Sequence, residues 1–309
     1  MTDSCIICKK SDELTDEHII PEFLGGNLTI TSVCKPCNDK MGNTFDGRLS
    51  KNEIFSLPNF VYNISGKSGV PRPLEGSKQT KLNEKVYVEF SENKFKVKSY
   101  PQISIIKENG EDVFSMKIDP SDLGKAKEII GKKINRYYKD TPSSFRENLI
   151  DKLYHDLTNR PVTESPSPIV KGSFTVDFTD LKLLFIKIAY EIGHHNFGKS
   201  FTNNPVAEIL RIALYKQFVK EINVSFFPEI GSMKKLFFED NHYVCLARNV
   251  CYIKIHGIDA MIHISDVNSD FDISSEKSII YDFNYKRKSH LKQTLTERAF
   301  YIKLKFPSS

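Results

Sequence analysis

Four cysteines near the amino terminus are the first residues whose type and spacing could do chemistry. Cys5 and Cys8 form one CxxC pair, and Cys34 and Cys37 form a second. Each pair presents two thiolates from one turn of chain, and four thiolates complete a tetrahedral zinc site. Such a site leaves no coordination position for a substrate, so we expect a structural zinc ion. A redox-active dithiol and unligated core cysteines are the alternatives.

The segment between the two pairs, residues 9–33, is longer than a simple zinc ribbon requires, and it contains a second set of reactive residues. His18 has an imidazole that titrates near neutral pH and can act as a general base toward water. The carboxylate of Glu17 and the amide oxygen of Asn38 are hard donors that suit Mg²⁺ or Mn²⁺ better than zinc. These three residues therefore predict a metal-assisted hydrolytic site.

The pattern CxxC, Glu-His-x-x-Pro, Gly-Gly and CxxC-Asn resembles the zinc-containing branch of the HNH endonuclease family, over about residues 5–46. The resemblance implies a ββα-metal hairpin and helix braced by the zinc ribbon, and hydrolysis of DNA to 5′-phosphate and 3′-hydroxyl ends. It also implies that His18 is the general base. One divalent ion, Mg²⁺ or Mn²⁺, would be bound between Glu17 and Asn38 against the scissile phosphate.

Two positions depart from the family pattern. Asp is more common where Glu17 stands, so Asp16 is an alternative ligand. The family's middle Asn, which orients the histidine, corresponds here to Thr29, and Asn27 is an alternative from a shifted turn.

Local geometry places further demands on this loop. Adjacent residues of an extended strand point to opposite faces, so Glu17 and His18 need a bend or a bulge to serve one site. Two consecutive glycines should allow a tight turn and a close approach of the backbone to phosphate. The supporting residues of the predicted site are Thr29, Asn27, Gly25, Gly26 and Asn43, with Asp46 further along the predicted helix as another candidate contact.

The net charge of +5 is modest, but it is unevenly distributed. Residues 1–58 contain six Lys or Arg against nine Asp or Glu, so this segment is net acidic by three. The positive charge is concentrated in residues 125–139 and 285–305, which are candidate nucleic-acid-binding stretches, with ordinary solvated helix faces as the alternative. The candidate contacts are Lys132, Lys133, Arg136, Lys286, Arg287 and Lys288.

Stretches rich in Pro, Gly, Ser and Asn divide the 309 residues. We predict an HNH module at residues 1–57, a linker at 58–84, an α+β domain at 85–160 and a carboxy-terminal α+β domain at 161–309. The predicted fold class is thus α+β, with a small module too poor in core to fold without its metal. The larger region combines antiparallel strands with a central apolar helix.

The apolar spacing predicts individual elements in this larger region. Short alternating strands over residues 85–118 predict an antiparallel meander, and helical periodicity predicts helices over 121–138, 143–157, 180–195 and 206–219. Further strands are predicted over 169–176 and in KKLFFE, HYVCLAR, CYIKIHG and AMIHIS. The remaining histidines and cysteines considered are interpreted as packing or surface residues: His194, His195, His242, His263, Cys245 and Cys251.

Neither a run of ~18 apolar residues nor a secretory leader is visible, so a cytoplasmic protein without a membrane partner is expected. DNA is the expected substrate. Cutting both strands with one metal centre per chain calls for two copies or for sequential nicking, so a homodimer is one of two arrangements consistent with the sequence. The family resemblance also suggests an unidentified effector or partner protein and a role in bacterial defence against foreign DNA. The alternatives are a zinc-ribbon module that binds nucleic acid or protein without catalysis, and an RNA-cleaving HNH enzyme.

Overall fold

The computed structural model describes residues 4–92, 94–161, 169–172, 175–220, 222–228, 237, 241–266, 273–274 and 277–305. The chain forms two compact units. Residues 1–73 and 174–309 make the first unit, and residues 74–173, inserted between them in sequence, make the second. Helices and antiparallel strands occur in both, so the predicted α+β class is confirmed.

The amino-terminal part of the first unit is a strand hairpin followed by short helices. Pro36 lies in the first turn of the first helix, where a backbone N–H has no partner within the helix, so the N–H that proline lacks is not missed. The Asn52 side chain caps the third helix by accepting a hydrogen bond from the backbone N–H of Ile54. The elements are β1 (Leu14–His18), β2 (Thr29–Cys34), α1 (Lys35–Met41), a wide π-type turn (Gly42–Asp46), α2 (Gly47–Leu49) and α3 (Glu53–Val61).

The second unit combines two small sheets with two helices. The predicted meander is divided, because β5 and β6 do not pair and Pro101, which lacks an N–H, lies between them. The elements are β3 (Gly76–Thr80), β4 (Lys85–Ser91), β5 (Lys94–Ser99), β6 (Gln102–Glu108), β7 (Glu111–Lys117), α4 (Ala126–Tyr137), α5 (Ser143–Thr158) and β8 (Val170–Lys171). Strands β5, β4, β3 and β8 form one sheet, while the β6–β7 hairpin packs its apolar side on α4 and α5.

The carboxy-terminal part of the first unit is a buried helix with a six-stranded antiparallel sheet. The elements are α6 (Phe178–Phe197), α7 (Lys199–Thr202), α8 (Pro205–Lys216), β9 (Val224–Phe226), β10 (His242–Ala247), β11 (Val250–Ile255), β12 (Ile258–His263), β13 (Ile279–Asn284), β14 (Ser289–Thr294) and α9 (Leu295–Lys305). The sheet order is β14-β13-β10-β11-β12-β9. The predicted central apolar helix is confirmed, since residues 183–193 of α6 are all buried.

Most predicted strands of this part are present as β10, β11 and β12. Among the described residues of the strand predicted over 169–176, the two residues of β8 are extended and paired, and residues 173–174 lie outside the described residues. The prediction for KKLFFE falls almost entirely outside the described residues. Within the described part of the chain, no helix combines the length and the apolar character needed to cross a bilayer.

The grouping of the chain into two units differs from the predicted division at residues 57, 84 and 160. The amino-terminal segment does not have a core of its own. Ile19 and Phe45 belong to the same hydrophobic cluster as Leu184 of α6 and Ile253 of β11. The physical reason is that a hairpin and three short helices leave apolar faces uncovered, and α6 together with the sheet buries them.

The two glycines of the loop between β1 and β2 are explained by packing. Gly25 has a φ of +78°, and a Cβ atom there would lie 2.7 Å from the Cβ of Tyr285. A Cβ atom on Gly26 would lie 1.7 Å from the carbonyl oxygen of Ile20. Both glycines are buried. Their contacts are with the protein itself, whereas the sequence suggested an approach to phosphate.

The substitution Gly26→Ala should therefore lower the free energy of unfolding by about 2 kcal/mol or more, because the new methyl group overlaps the backbone of Ile20. Gly42→Ala is the matched control, since Gly42 has a φ of −61° and open space around its Cα. Its effect should stay within about 0.5 kcal/mol. Denaturant unfolding followed by circular dichroism measures both, and equal effects would contradict the packing argument.

Candidate functional site

The four cysteines of the two CxxC pairs come together at one point. Their sulfur atoms all lie within 4.8 Å of one another, and the Sγ atoms of Cys8 and Cys34 are 3.6 Å apart. Zn–S bonds of about 2.3 Å in a tetrahedron hold sulfurs roughly 3.8 Å apart, so this donor set fits zinc. In the described ranges, it is the one group of three or more His, Cys, Asp or Glu placed to share an ion.

Backbone N–H groups donate hydrogen bonds to one sulfur of this cluster. The N–H groups of Ile7 and Cys34 lie 3.4 Å and 3.3 Å from the Sγ atom of Cys5 and donate to it. Burial acts to raise the pKa of Cys5, but the N–H donors outweigh it and the pKa lies below its ordinary value. For Cys34 burial prevails and raises the pKa to about 11. Zinc binding must therefore displace protons from the cluster.

The second CxxC pair lies across the junction of a strand and a helix. Strand β2 ends at Cys34, α1 begins at Lys35, and Cys37 is in the first turn of that helix. Asn38 follows directly. Its Nδ2 donates to the Thr15 side-chain oxygen at 3.2 Å and to the Asp16 carbonyl oxygen at 3.1 Å. The start of α1 is thereby attached to β1.

The β1–β2 hairpin contains the irregularity that the sequence required near residues 17 and 18. Thr15 pairs with Val33, but Glu17 pairs with Ile30. Two residues of β2 therefore oppose Asp16 alone, which is a β-bulge. The Asp16 carboxylate accepts a hydrogen bond from the Thr31 hydroxyl at 2.9 Å.

Glu17, His18 and Asn38 all line one cavity of about 760 Å³. His18 is half-buried at the end of β1, directly opposite Thr29 on β2. His18 lines the cavity, and its buried Nδ1 is a ring nitrogen that no described protein atom satisfies. The structure thus brings the three predicted residues to one place.

Only some of the other residues predicted for the site line the cavity. Asp16 and Asn43 also line the cavity. Asn27 does not reach His18, since its Nδ2 donates to the Lys288 carbonyl oxygen at 2.7 Å and its Oδ1 lies 3.2 Å from a ring nitrogen of His290. Asn27 therefore connects the loop to the β13–β14 hairpin.

Residues 5–54 match a family model described as HNH endonuclease. The amino-terminal segment is an HNH nuclease-family domain. The match contains the four cysteines together with Glu17, His18 and Asn38, and it ends inside α3. No curated protein and no solved structure matches the chain significantly.

The cavity of the HNH domain also contains a lysine from outside the matched segment. Lys187 of α6 is fully buried, and its Nζ lies 2.5 Å from Oε1 of Glu17 and 3.5 Å from Oδ2 of Asp46. Its Nζ also donates to the His18 carbonyl oxygen at 2.8 Å and lies 3.9 Å from Oε2 of Glu191. Sequence analysis missed this residue. The available signal was a Lys and a Glu at i and i+4 inside an otherwise apolar helix, because buried charges need partners.

Asp46 lies closer to the site than its position along the helix predicted from the sequence suggested. The wide turn over residues 42–46 changes the helical register, so that Asp46 faces the same cavity as Glu17. Burial raises the pKa of Asp46 to about 6, against the lowering effect of Lys187. Burial also raises the pKa of Glu191 well above its usual value. For Lys187, burial acts to lower the pKa, but the three carboxylates outweigh it and raise the pKa.

The predicted basic contacts fall in both units. Lys286, Arg287 and Lys288 are exposed in the turn between β13 and β14, which Asn27 connects to the HNH domain. The other three are exposed on α4 of the second unit: Lys132, Lys133 and Arg136. Lys132 forms an ion pair with Glu128 at 2.6 Å.

The other histidines and cysteines considered lie in packed or surface positions. His194 lies 3.1 Å from the Ser32 hydroxyl, and His242 is buried with a ring nitrogen 3.0 Å from the Leu24 carbonyl oxygen. His263 is exposed at the end of β12. Cys245 and Cys251 are buried in the strands of the large sheet.

The substitution Cys37→Ser should remove most of the zinc from the purified protein and lower its melting temperature, because the site loses one of four thiolates. Wild-type protein should contain one zinc ion per chain by inductively coupled plasma mass spectrometry. Cys245→Ala is the control, since it changes a buried cysteine of β10 and should leave the zinc content unchanged. Full zinc content in the Cys37 variant would argue against the cluster as the binding site.

Proposed function

We propose that this protein is a metal-dependent endonuclease that hydrolyses DNA phosphodiester bonds, with His18 as the general base. The observation that supports this most directly is the cavity that Glu17, His18 and Asn38 line together. Carboxylate and amide oxygens beside an imidazole are the groups that metal-assisted hydrolysis requires.

In the proposed reaction, His18 takes a proton from a water molecule whose oxygen attacks the phosphorus atom. The bond from phosphorus to the 3′ oxygen breaks, and the departing oxygen takes a proton from water, which leaves a 5′-phosphate and a 3′-hydroxyl. Glu17 and Asn38 would hold Mg²⁺ or Mn²⁺, which when bound neutralises charge on the phosphate and on the departing oxygen. Asp16 stays the alternative carboxylate, because it lines the same cavity.

The zinc cluster has a structural part in this proposal. It closes the loop around the strand that carries His18 and fixes the start of α1, where Asn38 is located. The hydrogen bonds from Asn38 to β1 then set the distance between the helix and the base. Loss of zinc should therefore reduce cleavage even though no zinc atom takes part in it.

DNA is the preferred substrate in this proposal because of the likeness of residues 5–54 to HNH endonucleases. RNA cleavage would use the same residues, so matched DNA and RNA oligonucleotides must be compared. A homodimer, an effector or partner protein, and a role in bacterial defence against foreign DNA belong to the same proposal. The opposing hypothesis is a zinc-ribbon module that binds nucleic acid or protein without catalysis.

The substitution His18→Ala should abolish cleavage of supercoiled plasmid in Mg²⁺ or Mn²⁺, with a loss of at least about 100-fold, because a positioned general base contributes that much. EDTA should abolish cleavage by the wild type. His263→Ala, at an exposed position of β12, is the control and should cleave normally. Unchanged cleavage by a zinc-loaded His18 variant would exclude the proposed base, and no cleavage by the wild type would favour the binding module.

Replacing Lys286, Arg287 and Lys288 together with Ala should weaken DNA binding and lower its salt dependence, by roughly one unit of slope for each phosphate that is no longer neutralised. The matched control is the triple replacement of Lys132, Lys133 and Arg136 on α4. Fluorescence anisotropy at several salt concentrations measures both, with Ca²⁺ in place of Mg²⁺. A larger effect of the α4 variant would indicate that the main DNA contact lies in the second unit.

A further inference from the structure

The ammonium of Lys187 is placed among three carboxylates that exceed it in charge. Glu17, Asp46 and Glu191 carry a formal charge of −3 when ionised, and Lys187 supplies +1. Oδ1 of Asp46 and both side-chain oxygens of Glu191 accept no hydrogen bond from the described protein atoms. Buried carboxylates without compensation either draw in a cation or take up protons, so removal of the ammonium would leave a space in which these three carboxylates could close on another positive ion.

The same ammonium contacts two of the three residues on which the proposed reaction depends. It is 2.5 Å from Oε1 of Glu17 and donates to the backbone carbonyl of His18. One oxygen of Glu17 is therefore held by Lys187, and in the proposed reaction the other would bind the catalytic ion. The peptide that carries the base is held from the same point. Lys187 can thus set the direction of Glu17 relative to His18.

Many phosphodiester hydrolases use two divalent ions about 3.5–4 Å apart that share carboxylates. We propose that Lys187 replaces the second ion in this protein. It is a positioning residue that holds Glu17 and keeps divalent ions out of the space between Glu17, Asp46 and Glu191, so that the HNH domain binds one catalytic ion. This inference rests on the proposed function.

The test is the substitution Lys187→Met, which keeps an unbranched apolar side chain as far as the ε position and removes the ammonium. Zinc-loaded proteins free of other divalent ions are titrated with Mn²⁺, and free Mn²⁺ is measured by electron paramagnetic resonance. The wild type should bind one Mn²⁺, and the variant should bind a second. Plasmid cleavage by the variant at saturating Mn²⁺ should be at least ten times slower, because Glu17 is no longer held. A purely structural lysine would instead lower Mn²⁺ binding and cleavage together.

Three further variants make the result specific. Lys182→Met changes a half-buried lysine of the same helix and should behave as wild type. Lys187→Arg keeps the charge, so it should bind one Mn²⁺ and recover part of the activity. Adding Glu191→Gln to Lys187→Met should remove the second Mn²⁺. Lys187→Gln replaces the methionine variant if the latter does not fold, as judged by zinc content and circular dichroism.

The proposal is overturned if a folded variant lacking the Lys187 charge binds one Mn²⁺ and cleaves as the wild type does, or if it binds no Mn²⁺. Its failure can be separated from failure of the nuclease assignment. Mn²⁺ stoichiometry does not require turnover, so it tests Lys187 even in a protein that cleaves nothing. Conversely, normal cleavage by the wild type with unchanged stoichiometry in the variant would remove only the role of Lys187.

Discussion

A charged ammonium buried in an apolar helix is the constraint on which the first unit depends. Moving such a charge out of water is costly unless carboxylates pair with it. Of the three carboxylates near Lys187, Glu17 and Asp46 come from the HNH domain and Glu191 from α6 itself. The hairpin and the wide turn must therefore pack on α6 in one register, because another register would leave the ammonium without two of its partners.

The cysteine cluster and the helices of the first unit constrain different parts of the HNH domain. The cysteine cluster fixes the domain internally, since it joins the first knuckle to the junction of β2 and α1. Polar contacts from α6 and α8 fix the domain to the remainder of the unit. These contacts are Arg48 with Asp180, the Tyr190 hydroxyl with the Ile6 carbonyl oxygen, Lys40 with the Tyr215 carbonyl oxygen, and Gln217 with Thr44. A domain recognisable from fifty residues thus relies on helices far along the chain.

The sequence was sufficient where the information is local. CxxC spacing predicted the convergence of the four cysteines, the succession Glu17-His18 predicted the need for a bulge, and apolar periodicity predicted α6 and most strands. It was insufficient where placement depends on distant contacts. In the sequence, Lys187 is a single charged residue in an apolar helix, and nothing local indicates that it contacts Glu17. Asp46 reaches the cavity because of the wide turn over residues 42–46. The grouping of residues 1–73 with 174–309 likewise depends on packing between segments that no local pattern relates.

The two ends of the second unit lie close together, because the strands near them, β3 and β8, pair with each other. Gln79 and Thr80 of β3 lie opposite Lys171 and Val170 of β8, so the ends of this unit are only about 5 Å apart at that point. A short loop could span such a gap. The whole insert could therefore be exchanged for another segment with the same distance between its ends, because every residue of the cysteine cluster and of the cavity lies outside residues 74–173.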